Sequence, residues 1–228
     1  MAKTKKQKEE EIVDVQEVYS KTEQFLDKNK QIIIGGITAV ALIVFGVFYY
    51  FNIYLPPLEK EAQDELFHAQ RHFANDSLNL AMYGDSDGNF GFEEIASNYG
   101  STNAGNLAHY YMGVSLLRTG DFEGAILYLD RYKPKDEITP SIKFGAMGDA
   151  WSELGDYSEA LSHYRKAIKN VENEFTTPIY LMKAGLVAEE LGKGKEAAEF
   201  YSRIKKEFPN SMQARNIEKF IKRARGLA

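Results

Sequence analysis

Four residues recur in the same order three times along the second half of the chain, and their spacing constrains the fold more than anything else. Gly113, Gly120, Phe122 and Ala125 form one set, and Gly148, Gly155, Tyr157 and Ala160 the next. Gly185, Gly192, Gly194 and Ala197 form the third, the offsets being 35 and 37 residues. A large apolar residue stands four places after each alanine: Leu129, Tyr164 and Tyr201. Self-similarity at such a period marks stacked supersecondary units that bury their apolar faces against one another. Each copy is predicted to be two helices joined by a tight turn: 104–119 with 122–132, 140–154 with 157–171, and 177–191 with 194–207. The first glycine of each set then lies inside a helix, at a cost of about 1 kcal/mol against alanine. That cost makes sense if a second helix crosses closely there, with the alanine as the matching small surface. The second glycine ends the first helix, where a left-handed cap is needed. Leu116, Trp151 and Tyr164 are expected to fill the space between pairs.

Two phrases carry a family resemblance. Leu154-Gly155-Asp156-Tyr157-Ser158-Glu159-Ala160-Leu161 and Thr119-Gly120-Asp121-Phe122-Glu123-Gly124-Ala125-Ile126 resemble the turn signature of the tetratricopeptide repeat. Trp151, Tyr164, Ala167 and Pro209 also fall where that family has an aromatic, an aromatic, a small residue and a terminating proline. The third copy has Gly194 where an aromatic is usual, so a looser turn is expected there. The resemblance covers residues 104–209 and implies an all-α array of about three clear repeats.

On either side the pattern thins. Ala62, Leu66, Ala69 and Phe73 form one helical stripe, and Phe92, Ile95, Ala96 and Tyr99 a shorter one. Together they read as a degenerate leading pair, with a polar, glycine-rich connection around Gly84-Asp85-Ser86-Asp87-Gly88-Asn89. After the repeats, Met212, Ile217, Phe220 and Ile221 suit a capping helix whose outer face carries Lys219, Lys222, Arg223 and Arg225. Stacked arrays require polar ends of that kind.

Ahead of the array lies an uncharged run from Gln31 to Leu58, bracketed by Lys30 and Glu59. As a helix, its apolar part from Ile32 to Leu55 would be about 36 Å long, enough to cross a hydrocarbon core of about 30 Å. Tyr49, Tyr50 and Tyr54 cluster at the far end, where amphipathic rings favour the lipid–water interface. Pro56-Pro57 is expected to stop the helix. The preceding 30 residues are too long for a signal-peptide n-region, and no small-x-small site comes after the run, so an uncleaved anchor is expected. The organisation is thus a charged tail (1–30), an anchor (31–57) and a repeat domain (58–228). In the tail, Ile12, Val15, Val18, Tyr19, Thr22, Phe25 and Leu26 recur at helical spacing, as an amphipathic helix or as a helical extension of the anchor. Lys28 and Lys30 at the membrane edge, with Lys3, Lys5, Lys6 and Lys8 behind them, outnumber Lys60 and Arg71 on the other flank. The positive-inside rule then favours an inner N-terminus and an outer array.

Charge and composition exclude several functions. The formal net charge is −5, and the first 30 residues hold seven Lys and seven Asp or Glu, so the remainder carries the whole imbalance. Such a surface is a poor start for nucleic acid, which is bound by Lys and Arg displacing counterions from phosphate. The chain has no cysteine, which removes disulfides, thiolate metal sites and cysteine nucleophiles together. Asp85, Asp87 and Asn89 begin like a calcium loop, but Phe90 stands where glycine is required and Ala96 where the closing acid belongs. An ordinary turn is the reading adopted. His68 and His72 lie four apart, yet Ala69 stands where the zinc-protease motif needs glutamate, so both read as surface histidines. His109 and His163 read as packing or solvent-facing residues within repeat helices. There is no phosphate-binding glycine loop and no nucleophile elbow, so neither catalytic residues nor a cofactor are expected.

One membrane helix after a short charged tail, followed by an acidic tetratricopeptide array, is similar to the YfgM-like ancillary subunits of the bacterial Sec translocon. The stretch Phe92 to Gly113, with Ile95-Ala96-Ser97-Asn98-Tyr99-Gly100-Ser101-Thr102, resembles the start of the periplasmic part of those proteins. The resemblance implies an inner-membrane anchor, a periplasmic array, and contacts with translocon subunits or emerging envelope proteins. By the geometry of the tetratricopeptide family, the first helices line a partner-binding groove. It would carry Tyr110, Val114, Leu117 and Arg118 from one pair, Asp149, Ser152 and Glu153 from the next, and Met182, Lys183, Leu186 and Glu189 from the last. The mixture suits an amphipathic helix or an extended peptide with apolar anchors. The reading is therefore a membrane-anchored, protein-binding scaffold or chaperone-like factor at an envelope translocation or assembly machine. An organelle receptor with a cytosol-facing array is the alternative in the same class, and an enzyme whose site forms only in three dimensions the alternative in another.

Overall fold

The computed structural model describes residues 2–170 and 172–227, with side chains of the N-terminal helix from Ser20 onward, Lys21 apart. Every regular element among the described residues is helical, and the chain divides into two compact units, Met1–Pro57 and Leu58–Ala228.

The first unit is one long helix, α1 (Ala2–Tyr49), running without a break from the charged tail into the apolar run. A π-helical turn, Tyr50–Tyr54, comes after it. The helix is long and apolar enough to cross a membrane, and its apolar window has no buried residue. Polar side chains of the helix and of the turn after it bond to nearby backbone: Thr38 Oγ1 donates to the Ile34 carbonyl at 2.8 Å and Asn52 Nδ2 to the Phe48 carbonyl at 2.9 Å. Self-satisfaction of that kind lowers the cost of carrying these groups in lipid. Thr22, Phe25 and Leu26 of the tail stripe are exposed, while the side chains of Ile12, Val15, Val18 and Tyr19 lie outside the described residues.

Pro56-Pro57 does not stop the helix, contrary to expectation. Both prolines sit in the first turn of α2 (Leu55–Ala74). The π turn before them supplies the reason: Leu55 N–H bonds to the Tyr50 carbonyl, five residues back. The wider turn restarts the hydrogen-bond ladder, so the prolines fall where a helix has no intrahelical use for its N–H groups.

In the second unit, α2 buries Ala62, Leu66 and Ala69 of the expected stripe, and its fourth member, Phe73, is part-buried against the same core. The connection after it is not all loop. It holds a short helix, α3 (Leu78–Tyr83), which buries Ala81 and Met82, before α4 (Phe92–Asn98) buries Phe92, Ile95 and Ala96. Carboxylates of α2 fasten the segments next in the chain. Glu59 accepts from the N–H groups of Asn103 (2.6 Å) and Ala104 (3.1 Å), capping α5 (Asn103–Thr119). Glu65 accepts from Phe90 N–H at 3.1 Å and Glu61 from the Tyr99 hydroxyl at 3.1 Å.

Three helix pairs come next: α5 with α6 (Phe122–Arg131), α7 (Thr139–Glu153) with α8 (Tyr157–Asn170), and α9 (Thr177–Glu190) with α10 (Gly194–Glu207). The three turns within them are built alike. Gly120, Gly155 and Gly192 have φ of +88°, +78° and +68°. The N–H of the residue after each reaches back across the turn to a carbonyl: Asp121 to Leu116 (3.0 Å), Asp156 to Trp151 (3.0 Å) and Lys193 to Ala188 (2.8 Å). This is the bond pattern of a Schellman cap. The expected loosening of the third turn is therefore absent, because that cap depends on the glycine before it and not on the aromatic that Gly194 replaces. What the third turn lacks is a side-chain cap. Asp121 accepts from Gly124 N–H (2.9 Å) and Asp156 from Glu159 N–H (3.1 Å), whereas Lys193 caps nothing. Lys193→Asp should supply the missing acceptor and remove a cation from a helix N-terminus. We expect a gain of about 1 kcal/mol and a thermal midpoint raised by about 2–4 °C, measured by circular dichroism.

The crossings differ from expectation in one respect. The helical glycines do not face the alanines of the partner helices but the large residues one turn further on. A Cβ at Gly113 would stand 2.7 Å from Leu129 Cγ, one at Gly148 2.6 Å from Tyr164 Cε1, and one at Gly185 closer still to the Tyr201 ring. Ala125, Ala160 and Ala197 are fully buried, but it is the large side chain that occupies the space the glycine leaves. Successive pairs are joined in the same manner. The ring of Tyr180 on α9 lies against Gly145 of α7 and stacks on Tyr164, with centroids 6.5 Å apart. Lys143 of α7 is buried and donates to the carbonyls of Asp130 (2.9 Å) and Tyr132 (2.8 Å) at the end of α6. Burial lowers the pKa of that ammonium below the usual lysine value.

A 3-10 turn, Met212–Ala214, leads to the last helix, α11 (Ile217–Gly226), which buries Ile217, Ile221 and Ala224. Phe220 sets its ring 5.4 Å from that of Tyr201. Met212, expected to pack with this helix, is instead 73% exposed in the turn before it.

Candidate functional site

The last turns of α5, α7 and α9, with the turn after α5, surround an open cleft of about 720 Å³. Its walls bring together Leu117 and Arg118 of α5, Asp149, Ser152 and Glu153 of α7, and Lys183 and Leu186 of α9. The remaining four residues of the expected groove do not line it. Tyr110 packs its ring on Tyr111 and Tyr132, at 5.6 and 5.3 Å, and burial raises its pKa. Val114 is half-buried on α5, and Met182 packs against the core formed by the last two pairs and α11. The carboxylate of Glu189, with its side chain only 9% exposed, is held by the guanidinium of Arg223 on α11.

The floor of the cleft is polar and already paired. Asp149 accepts from the Tyr164 hydroxyl at 2.7 Å and from Lys183 Nζ at 2.6 and 2.7 Å. One carboxylate thereby joins both helices of its own pair to the next pair. About a third of each ionic side chain remains exposed, so screening limits the ion pair to about 1 kcal/mol or less. The Tyr164 phenol is driven well above its ordinary pKa, chiefly by burial and then by the Asp149 charge, so it stays a donor. Its presence in the wall was missed from sequence, where Tyr164 read as a core filler. The signal was Gly148: the Tyr164 ring passes the helical glycine, and its hydroxyl reaches Asp149 on the cleft side of α7. Arg118 is also engaged, donating to Asp76 at 2.6 Å and resting over the Phe73 ring. Leu186 remains 40% exposed, and Leu117, Phe122 and Val187 add apolar wall beside it.

Elsewhere, polar groups that resembled ligand sites serve structure. His72, half-buried and not on the surface as expected, sets Nε2 3.0 Å from Asp85 Oδ2. The Asp85 carboxylate also accepts from the Asn89 amide and from the N–H groups of Asp87 and Asn89. The Asn89 side chain, then His72, hold the Asp85 pKa well below the usual carboxylate range. Its oxygens are thus committed to closing the 84–91 loop. His68 is half-buried too, and His163 is buried with Nδ1 2.9 Å from the Glu159 carbonyl. Among the described residues no three His, Asp or Glu stand together where they could hold a metal.

A family model for the tetratricopeptide repeat matches residues 146–211. No curated protein matches the chain. The matched stretch runs from the middle of α7 through α10, and α5 with α6 repeats its turn, its caps and its glycine contact outside the matched residues. The fold is a tetratricopeptide-type helical array behind one long apolar N-terminal helix. Arrays of this type are generally protein-binding scaffolds, and the cleft lies along their first helices.

Proposed function

We propose that this chain is a membrane-anchored scaffold of the bacterial envelope, which holds protein segments in the cleft between the last turns of α5, α7 and α9. The observation that carries the reading is the cleft itself, where Leu186 stays exposed beside Leu117, Phe122 and Val187 above a fully paired polar floor. Such a floor costs a partner little to cover, and the apolar wall supplies anchors for an amphipathic segment. The N-terminus lies inside and the array in the periplasm, a placement supported by Lys28 and Lys30 on the tail side of the apolar run. The likeness to YfgM-like subunits supports a partner at the translocation machinery, either a translocon subunit or an emerging envelope protein. Tethering raises the effective concentration of such a partner, so micromolar affinity in the cleft suffices.

The test is photocrosslinking from the intact, membrane-embedded chain. A photoreactive residue at Leu186 should capture a discrete envelope protein, while the same residue at Leu127, exposed on α6, should not. A reporter fused after α11 should be active only in the periplasm. Identical crosslinks from both positions would remove the cleft from the reading, and a reporter active in the cytoplasm would replace the envelope scaffold with a cytosol-facing receptor.

A further inference from the structure

The cleft is not electrostatically neutral toward a partner, and the imbalance sits where the fold itself disfavours it. Carbonyl groups at a helix C-terminus carry partial negative charge, which favours Lys or Arg in the last turn. The other repeat helices and the cap obey this rule: α5 has Arg118, α6 Arg131, α8 Lys169, α10 Lys205 and Lys206, α11 Arg223 and Arg225. Only α7 and α9 among them have no basic residue in the last turn. They end instead in Ser152-Glu153 and Glu189-Glu190, at equivalent positions 37 residues apart.

Glu189 is neutralised by Arg223, but Glu153 and Glu190 are exposed, and among the described residues neither has a hydrogen-bond or ion-pair partner. Glu153 lines the cleft, and Glu190 stands one helical turn beyond Leu186, which also lines it. The two cations in the cleft wall are already matched, Arg118 by Asp76 and Lys183 by Asp149. The charge left for a partner is therefore negative, reinforced by the carbonyl ends of two helices and placed beside an apolar wall. Carboxylates at such positions weaken their own helices, and local choices that oppose stability mark functional surface.

Resting on the cleft reading above, we infer that the cleft selects cationic amphipathic segments, a Lys or Arg meeting Glu153 and Glu190 while an adjoining apolar side chain enters between Leu117 and Leu186. Acidic amphipathic segments of the same apolar pattern are rejected. Charge complementarity of this kind governs choice of partner and rate of encounter more than it adds to bare affinity. The acidic balance of the chain beyond residue 30 draws such segments toward the array from a distance.

The experiment uses the full chain in nanodiscs of zwitterionic phosphatidylcholine, with empty discs as the reference. Two fluorescein-labelled peptides share one leucine pattern, and one carries lysine where the other carries glutamate. At low salt the lysine peptide should bind about ten-fold or more tighter, and the gap should narrow at high salt. Glu153→Gln with Glu190→Gln should weaken the lysine peptide several-fold while raising the thermal midpoint slightly, because the substitutions relieve both helix ends. Glu153→Lys with Glu190→Lys should invert the preference. Glu123→Gln with Glu199→Gln, also exposed but on other helices, should leave it unchanged. Equal binding of both peptides, lost in Leu186→Asp, would overturn the charge selection and leave the cleft reading standing. Equal weakening by the two glutamine pairs would also overturn it, as an effect of net charge alone. Binding of neither peptide, or binding indifferent to Leu186→Asp, would overturn both.

Discussion

Gly148→Leu should unfold or melt the array far below the temperature of the parent chain. Even a Cβ at that position stands 2.6 Å from the Tyr164 ring, and a full leucine must displace a side chain that is 97% buried. The Tyr164 hydroxyl would lose Asp149 in the same movement, leaving the Asp149–Lys183 pair to close the floor alone. Overpacking of a filled core typically costs about 1–3 kcal/mol and more where backbone must move, so we expect a loss above about 3 kcal/mol. Gly185→Leu, against Tyr201, should behave alike, whereas Gly88→Leu, whose Cβ meets nothing within 4 Å, should suffer only from its positive φ. Circular dichroism melts of the three variants decide the matter. Equal losses at positions 88 and 148 would show that backbone conformation, not the crossing, makes glycine necessary.

Partition should separate the two compact units as sharply. The full chain should remain in the membrane fraction through alkaline carbonate extraction, because an uncharged, predominantly apolar helix of about 24 residues leaves water only by entering lipid. Residues 58–228, whose core includes Phe92, Leu129, Leu161 and Tyr201 at under 2% exposure, should be soluble and helical without detergent. A full chain released by carbonate would mean that the apolar helix packs against protein and not lipid.

The helix pairs were legible because their ends are written in residues with one structural use. Glycine at a left-handed cap and aspartate at an N-cap fix a turn to within a residue or two, so the six repeat helices fall where the spacing places them. The leading segment was less legible. The helix Leu78–Tyr83 is too short to show a period, and it sits among Gly and Asp residues that read as loop. The glycine crossings were found but given the wrong partner, since spacing along one helix does not show how far a tyrosine of another reaches. The cleft was legible for residues in the last turns of the first helices. It failed for Glu189, because its pairing needs Arg223, a helix away in sequence, and for Tyr110, because three tyrosine rings cluster where one was counted. Glu153 was read only as one groove residue among others, because the lack of a cation beside its charge shows only with the neighbouring helices in place.

The docking of α11 on α10 bears on what the last helix pair leaves open. A helical array presents at its last pair the same face that each internal pair offers its successor, so an uncovered end is a template for another copy. Here Ile217, Ile221 and Ala224 occupy that face, Phe220 meets Tyr201, and Arg223 closes over Glu189. The outward side of α11 then offers Lys219, Lys222 and Arg225 to solvent, a charged surface in place of the apolar one beneath it. End-to-end stacking of a second copy on the face of the last pair would first have to displace this helix, with its buried Ile217 and Ile221.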